Sequence, residues 1–259
     1  MGLGDNVLAA WKFDGDLTDE TTNYDATNNG TATDTTIKIL GSASRRYDGS
    51  NDNLVLSNSM MDSHAAFSMS IWFYLDDDPS GGGASDRNTL WGMGTQTGTP
   101  DDSFLWVENS SGTGNVNKLR LRLATTENAN ISYGSATITI TTWHHVLLIF
   151  DGSTCKVYLD GSGTEDISIV STGTLGTTSA SHYFGRRVGE SYWDGSIDDC
   201  TIWTDAKANT DAATLWNGGA GLAYPFGPSG WTGDIAGVTN PAEVNGIAVA
   251  NITSIDGVS

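Results

Sequence analysis

The nine residues Phe67–Leu75 place Phe67, Met69, Ile71, Phe73 and Leu75 at alternate positions, and this period of two constrains the fold more than any other feature. Side chains alternate across a strand, so such a run buries one whole face; an amphipathic helix would need an apolar period of 3.6. The opposite face carries Ser68, Ser70, Trp72 and Tyr74, and Asp76-Asp77-Asp78-Pro79-Ser80-Gly81-Gly82-Gly83 then ends the strand in a loop. Similar grammar recurs along the chain. Residues 8–13 stop at Asp14-Gly15, Trp143–Phe150 runs into Asp151-Gly152, and residues 155–159 run into Asp160-Gly161. Asp-Gly between β-rich runs is a hairpin signal.

Further short strands are predicted at residues 45–48, 53–56, 88–94, 103–108, 118–124, 136–140, 181–186 and 197–203, separated by Gly, Asn and Asp clusters. Residues 18–36 are polar and turn-rich and read as a long surface loop. Only residues 210–217 read as helix, with Thr210 as cap, Asp211 at the N-terminal dipole and Gly218 as the stop. A dozen short strands and one small helix predict an all-β, two-sheet antiparallel jelly-roll sandwich spanning residues 1–220. A chain of 259 residues is long enough for such a domain plus an appendage.

Charge narrows the partners. Lys and Arg total 12 against 31 Asp and Glu, a net charge of −19. That surface repels phosphate backbones and anionic membranes, so no nucleic acid is expected, and it suits divalent cations. No basic segment followed by an apolar run opens the chain, and nowhere do about 18 apolar residues run together, so neither a signal peptide nor membrane insertion is expected. Cys155 and Cys200 both fall on inward-facing strand positions, where a cross-strand disulfide and two buried thiols are both open readings.

Nothing here reads as an enzyme. A retaining glycan hydrolase needs two carboxylates about 5–5.5 Å apart, commonly at alternate positions of one strand. None of the six glutamates has another within ten residues, and Asp198 and Asp199 are expected on opposite faces. Gly-x-Ser-x-Gly, His-Glu-x-x-His and Cys-x-x-Cys are absent. His144 and His145, adjacent on a strand, point to opposite sides and cannot easily share a metal. One ring is expected beside Trp143 and the other exposed; His64 and His182 have no ligand-spaced partner.

Several blocks, in order, resemble the laminin-G-like, concanavalin A-like jelly roll. These are Trp11-Lys12-Phe13-Asp14-Gly15, Tyr47-Asp48-Gly49 with Leu54-Val55-Leu56, and Phe67-Ser68-Met69-Ser70-Ile71-Trp72. They continue with Trp143-His144-His145-Val146 and Val157-Tyr158-Leu159-Asp160-Gly161, and end at residues 195–203 with Leu215-Trp216-Asn217-Gly218-Gly219. The resemblance covers residues 6–220. It implies a curved ligand-facing sheet, glycan or protein binding, and frequent calcium. In such folds a structural ion often ties the first strand to the last, which here corresponds to Asp14 or Asp16 with Asp198; turn-capping roles fit those aspartates equally well. Trp91, Trp106, Tyr192 and Trp193 stand beside loops rich in Asp, Asn and Gly and are the candidate glycan-stacking residues, weighed against ordinary core packing.

Residues 221–259 form a separate unit by composition. Tyr224-Pro225-Phe226-Gly227-Pro228 reads as a linker, and Val244-Asn245-Gly246-Ile247-Ala248 recurs as Ile255-Asp256-Gly257-Val258-Ser259. Such a tail is too small to bury a core of its own, so it is expected to lie against a partner. Residues 235–259 resemble the tails of tailed-phage structural proteins. The combined expectation is a non-enzymatic virion decoration or fibre-associated protein, oligomeric through residues 222–259, displaying a lectin-like domain for a surface glycan. A secreted or surface carbohydrate-binding module, extracellular rather than virion-borne, is the alternative, and a glycan hydrolase ranks behind both.

Overall fold

A computed structural model describes residues 2–57, 60–77, 88–94, 102–108, 114–175, 181–187 and 190–226, with four two-residue strands between 234 and 248. The strands are β1 (Val7–Trp11), β2 (Thr27–Asn29), β3 (Ala32–Asp34), β4 (Ser44–Asp48), β5 (Asn53–Leu56), β6 (Phe67–Leu75), β7 (Asn88–Gly94), β8 (Ser103–Val107) and β9 (Leu119–Ala124). They continue with β10 (Ala129–Tyr133), β11 (Trp143–Phe150), β12 (Thr154–Leu159), β13 (Ile167–Val170), β14 (Ser181–Phe184), β15 (Arg186–Arg187), β16 (Glu190–Tyr192) and β17 (Asp194–Trp203), followed by helix α1 (Thr210–Trp216).

Two antiparallel sheets face each other. Sheet A has the order β13-β12-β11-β6-β17-β4-β3, with β1 also paired to β17; sheet B has the order β10-β9-β8-β7-β14-β5-β2. The expected jelly-roll sandwich is what forms. Every apolar position of the period-two run in β6 lies in the core between the sheets, with Val146, Leu148 and Phe150 of β11 beside it and Leu105, Leu121 and Phe184 of sheet B opposite. Registers are pinned because a one-residue slip would carry each of these side chains to the wrong face.

Sheet A is covered on its outer side. Ala212 and Leu215 of α1 pack with Leu3 and Phe226 on Leu147, Ile149, Tyr158 and Trp203, and Leu222 and Tyr224 join them. Trp216 stacks on Trp72 at 5.1 Å. The Trp203 indole donates to the Leu3 carbonyl at 2.7 Å while Phe226 stacks on its ring at 5.5 Å. Residues 222–226, read from composition as linker, are therefore part of the sandwich's outer cover: Leu222, Tyr224 and Phe226 have an apolar surface to bury against.

Other expectations need correction. The long loop over residues 18–36 contains β2 and β3, each an edge strand of a different sheet. Helix α1 begins after Asn209, which contributes no side-chain cap; Asp211 instead accepts from the Ala208 amide at 2.9 Å. His144 and His145 do point to opposite faces, but neither is exposed. His144 stacks on Phe73 at 5.5 Å, and His145 lies 5.0 Å from Trp72 on the helix side. Cys155 and Cys200 are free and buried in the core. Among the described residues no helix is long and apolar enough to cross a membrane. In the tail, Asp234–Ile235 pairs with Val238–Thr239 and Glu243–Val244 with Ile247–Ala248, two small antiparallel ladders.

Candidate ligand-binding face

The outer face of sheet B is chemically unlike that of sheet A. Along β8 and β9, Leu105, Val107, Leu119, Leu121 and Leu123 point into the core, so Phe104, Trp106, Arg120 and Arg122 point outward. Cross-strand register places Tyr183, Gly92, Phe104 and Arg122 in one outward row, and Trp106, Arg120 and Tyr133 in the next. Gly92 leaves a gap in the first row. The hairpin of β15 and β16 crosses the sheet at that gap: a Cβ on Gly92 would fall 2.3 Å from the Arg186 carbonyl oxygen and 3.0 Å from the Arg187 Cα.

Crossing there, the hairpin sends its two arginines to opposite sides. Arg187 covers Phe104 at 4.7 Å and Trp106 at 5.2 Å, and forks onto Asp102 with Nε to Oδ1 at 3.1 Å and Nη2 to Oδ2 at 2.5 Å. Arg122 reaches the same Asp102 carboxylate at 2.9 Å, and Arg120 pairs with Glu108 at 2.9 Å while lying 5.0 Å from both Trp106 and Tyr133. Phe104 and Trp106 stack at 3.8 Å beneath these guanidinium groups. Asp102 and Glu108, both fully buried, are held as ion-pair acceptors; neither stands free as an acid or base. Arg186 turns the other way, between Tyr183 at 5.1 Å and Tyr192 at 5.6 Å. Tyr183, Arg186 and Tyr192 are all partly exposed.

Of the four aromatic residues singled out in the sequence, the structure brings only Tyr192 to an open position. Trp91 and Trp193 are core residues at 0% exposure, because a register shift in β7 and the turn into β17 rotate them inward, and a ring so enclosed offers no face to a sugar. Trp106 is on the outer face but is covered by Arg120 and Arg187. Tyr183 and Arg186 were missed. Strand alternation from Phe184 and a double arginine in so acidic a chain were the available signals.

The proposed calcium carboxylates also have other occupations. Asp14 accepts from the Ser42 and Ala43 amides, and Asp198 Oδ2 accepts from the Ile39 and Leu40 amides at 3.0 and 3.2 Å, so both grip one loop. Asp16 is exposed and accepts from the Thr18 amide at 3.1 Å. Among the described residues no three His, Cys, Asp or Glu side chains converge to hold a metal, and the three aspartates do not fit a shared carboxylate site. Nor do Asp198 and Asp199 simply alternate. A bulge between Asp198 and Thr201, with Asp199 at φ 40°, buries both. Burial pushes the Asp198 carboxyl up to about 7, against the pull of its three amide donors, and pushes Asp199 up as well, with Asp198 adding to the rise.

One open concavity of about 400 Å³ lies elsewhere, at the β12–β13 turn, lined by residues that include Ser135, Asp160, Glu165 and Asp166. Beside it, His144 bridges Asp160 Oδ2 at 2.7 Å and Thr139 Oγ1 at 2.9 Å. The Asp160 backbone neighbourhood is also tied down, since its other oxygen accepts from the His145 amide at 2.9 Å. This chain of bonds fastens the loop before β11 to the turn after β12.

A family model described as the concanavalin A-like lectin/glucanases superfamily matches residues 48–213. No curated protein sequence matches the chain. Among solved structures, domain 4 of AbnA, an extracellular arabinanase of Geobacillus stearothermophilus in complex with arabinotriose, is 19% identical with a TM-score of 0.62 over 81% of this chain and 97% of that one. The binding domain of Paraclostridial Mosquitocidal Protein 1 is 13% identical with a TM-score of 0.63 over 84% of this chain and 53% of that one. The botulinum neurotoxin serotype D ligand binding domain in complex with N-acetylneuraminic acid is 14% identical with a TM-score of 0.59 over 83% of this chain. The chain spans about half the length of these two toxin domains, 53% and 51% respectively. At these identities the likeness is one of fold. Matched by the family model over more than half its length, the chain belongs to the concanavalin A-like lectin/glucanases superfamily.

Proposed function

We propose that this protein is a non-enzymatic glycan-binding module whose ligand rests on the outer face of sheet B beside the β15–β16 hairpin. The observation that carries the reading is the pair of partly exposed tyrosines, Tyr183 and Tyr192, flanking Arg186 on the sheet face that no helix among the described residues covers. Aromatic rings with a polar edge supply the apolar surface and hydrogen bonding that sugar rings require. The solved structures of like fold with arabinotriose or N-acetylneuraminic acid bound support a glycan ligand. Asp102 and Glu108, locked to arginines, support binding over hydrolysis. Titration calorimetry against a panel of neutral and acidic oligosaccharides tests the reading: Tyr183→Ala and Tyr192→Ala should each weaken binding about two- to tenfold, stacking being worth ~0.5–1.5 kcal/mol. Binding unaffected by both would overturn it, as would release of reducing ends by the purified chain.

The assembly half of the reading rests on the tail. Its two small ladders at 234–239 and 243–248 have too few residues for a core of their own, and we place them against other subunits of a particle, with a free extracellular module as the alternative. Truncation should follow Phe226, which belongs to the sandwich. The shortened chain should be a folded monomer with glycan binding retained. If the full chain is equally monomeric and incorporates into no assembly, the tail has another role.

A further inference from the structure

We propose that the ligand carries a carboxylate, an acidic sugar such as a uronic or sialic acid, and that Arg186 is the residue that selects it. Of the described arginines, Arg186 alone has neither an ion pair nor a hydrogen bond from its guanidinium to any described residue. Arg46, Arg120, Arg122 and Arg187 are paired with carboxylates, and Arg45 donates to Thr31 and Thr33. With 31 acidic residues in the chain, the lack of an ion pair at Arg186 does not come from a shortage of carboxylates. Its Nε is buried without a partner, whereas its unbonded terminal nitrogens are not among the buried unpartnered atoms and so reach solvent.

The geometry restricts the side chain. Backbone packing of the hairpin in the Gly92 gap fixes where Arg186 starts, and the two tyrosine rings restrict where it points. Carboxylates prefer the planar fork of arginine, and a guanidinium already ordered loses less entropy on binding one. The net charge of −19 opposes an anion at long range, but charges beyond ~8 Å are largely screened at physiological salt, so the nearby cation dominates. Tyr183 and Tyr192 would meet the apolar face of the sugar ring while Arg186 takes its acid group.

This inference rests on the glycan-binding reading above, and one experiment separates them. The full chain is titrated with an oligogalacturonate, a sialylated trisaccharide, and neutral arabinotriose and lactose; the same panel is run on R186Q and R186K, with melting curves to show that each variant is folded. The expected result is tighter binding of one acidic sugar than of its neutral counterparts. The acid-to-neutral ratio of association constants should fall at least tenfold in R186Q and less in R186K. The oligogalacturonate and sialoside arms tell the two acid sources apart. Neutral sugars bound as tightly as acidic ones, or a ratio unchanged in R186Q, overturns the role of Arg186 while leaving the glycan reading standing. No binding to any sugar overturns both.

Discussion

The outer faces of the two sheets have been finished in opposite ways. On sheet A, Leu147, Ile149, Tyr158 and Trp203 present an apolar surface that the chain covers with its own helix and its 222–226 segment. On sheet B, charged and aromatic side chains bridge the strands, and the hairpin that crosses them leaves an arginine and two tyrosines partly open. The contrast teaches which face does what. An apolar sheet surface must be buried to be stable, whereas a surface of ion pairs over stacked rings tolerates water and can meet a ligand.

Substitutions on each face should separate stability from binding. The largest loss is expected for Asp102→Ala, which removes the buried carboxylate that Arg187 and Arg122 share. Removing one partner of a buried ion pair costs about 3–5 kcal/mol, and chemical denaturation should show it together with weakened glycan binding. On the other face, Leu215→Ala removes a side chain that is 1% exposed and should cost about 2–4 kcal/mol, yet leave oligosaccharide affinity within twofold at temperatures where the variant is folded. Weakened affinity there would erase the division of labour.

A smaller stability effect is expected where the two sides of the candidate face meet. Gly92→Ala forces the hairpin backbone aside, at a cost of about 1–3 kcal/mol, and affinity should fall more steeply than stability. A variant that melts normally and binds normally would show that the hairpin's position is irrelevant to the ligand.

Acidity sharpens the comparison differently. His182 lies in the core against sheet B with both ring nitrogens unpartnered, and burial pulls it down to about 4. Its unfolded form binds a proton near pH 6.5, so its stabilising effect is complete above that pH. It is lost as pH falls toward 4, a change on the order of 3 kcal/mol. Asp198 works in the reverse sense. Raised to about 7, it takes up a proton in the folded state first, which favours folding as pH drops from 7 toward 4. His145, buried and pulled down to about 3, acts in the same sense as His182, so denaturation midpoints should fall between pH 7 and 4, by less than the two histidines alone would dictate, and His182→Met should make that decline shallower. A steeper decline in His182→Met would reverse the assignment. The smallest effect is expected from chelation. With the 39–43 loop already held by amide bonds to Asp14 and Asp198, a chelator should move the Tm by less than about 1 °C, and a drop of several degrees would reveal an ion at that corner.

Much of the sandwich was legible in the sequence because burial on one face leaves a period of two, and Asp-Gly pairs mark where strands reverse. What escaped were departures from alternation. The bulge between Asp198 and Thr201 lets Ile197 and Cys200, three apart, both face the core, and nothing in the residue types announces it. A like shift in β7 sends Trp91 inward with its neighbour Leu90. The binding-face aromatics were harder still. Tryptophan beside a polar loop looks the same in sequence whether it fills a core, as Trp193 does, or lies beneath arginines, as Trp106 does. Arg186 was invisible for the opposite reason: its distinguishing property is that no described carboxylate pairs with it, which can be read only once the other described arginines have been placed.

The seating of Leu3 and Phe226 on the same tryptophan gives the domain a front and a back. Both pack on Trp203, behind sheet A, while Arg186 and its tyrosines look out from sheet B on the far side of a core about 10 Å thick. The last described residue of the sandwich, Phe226, therefore sits at the rear. A surface coated with this protein through that end would present Arg186 and its tyrosines outward, like the studs of a sole, with no rotation of the domain needed.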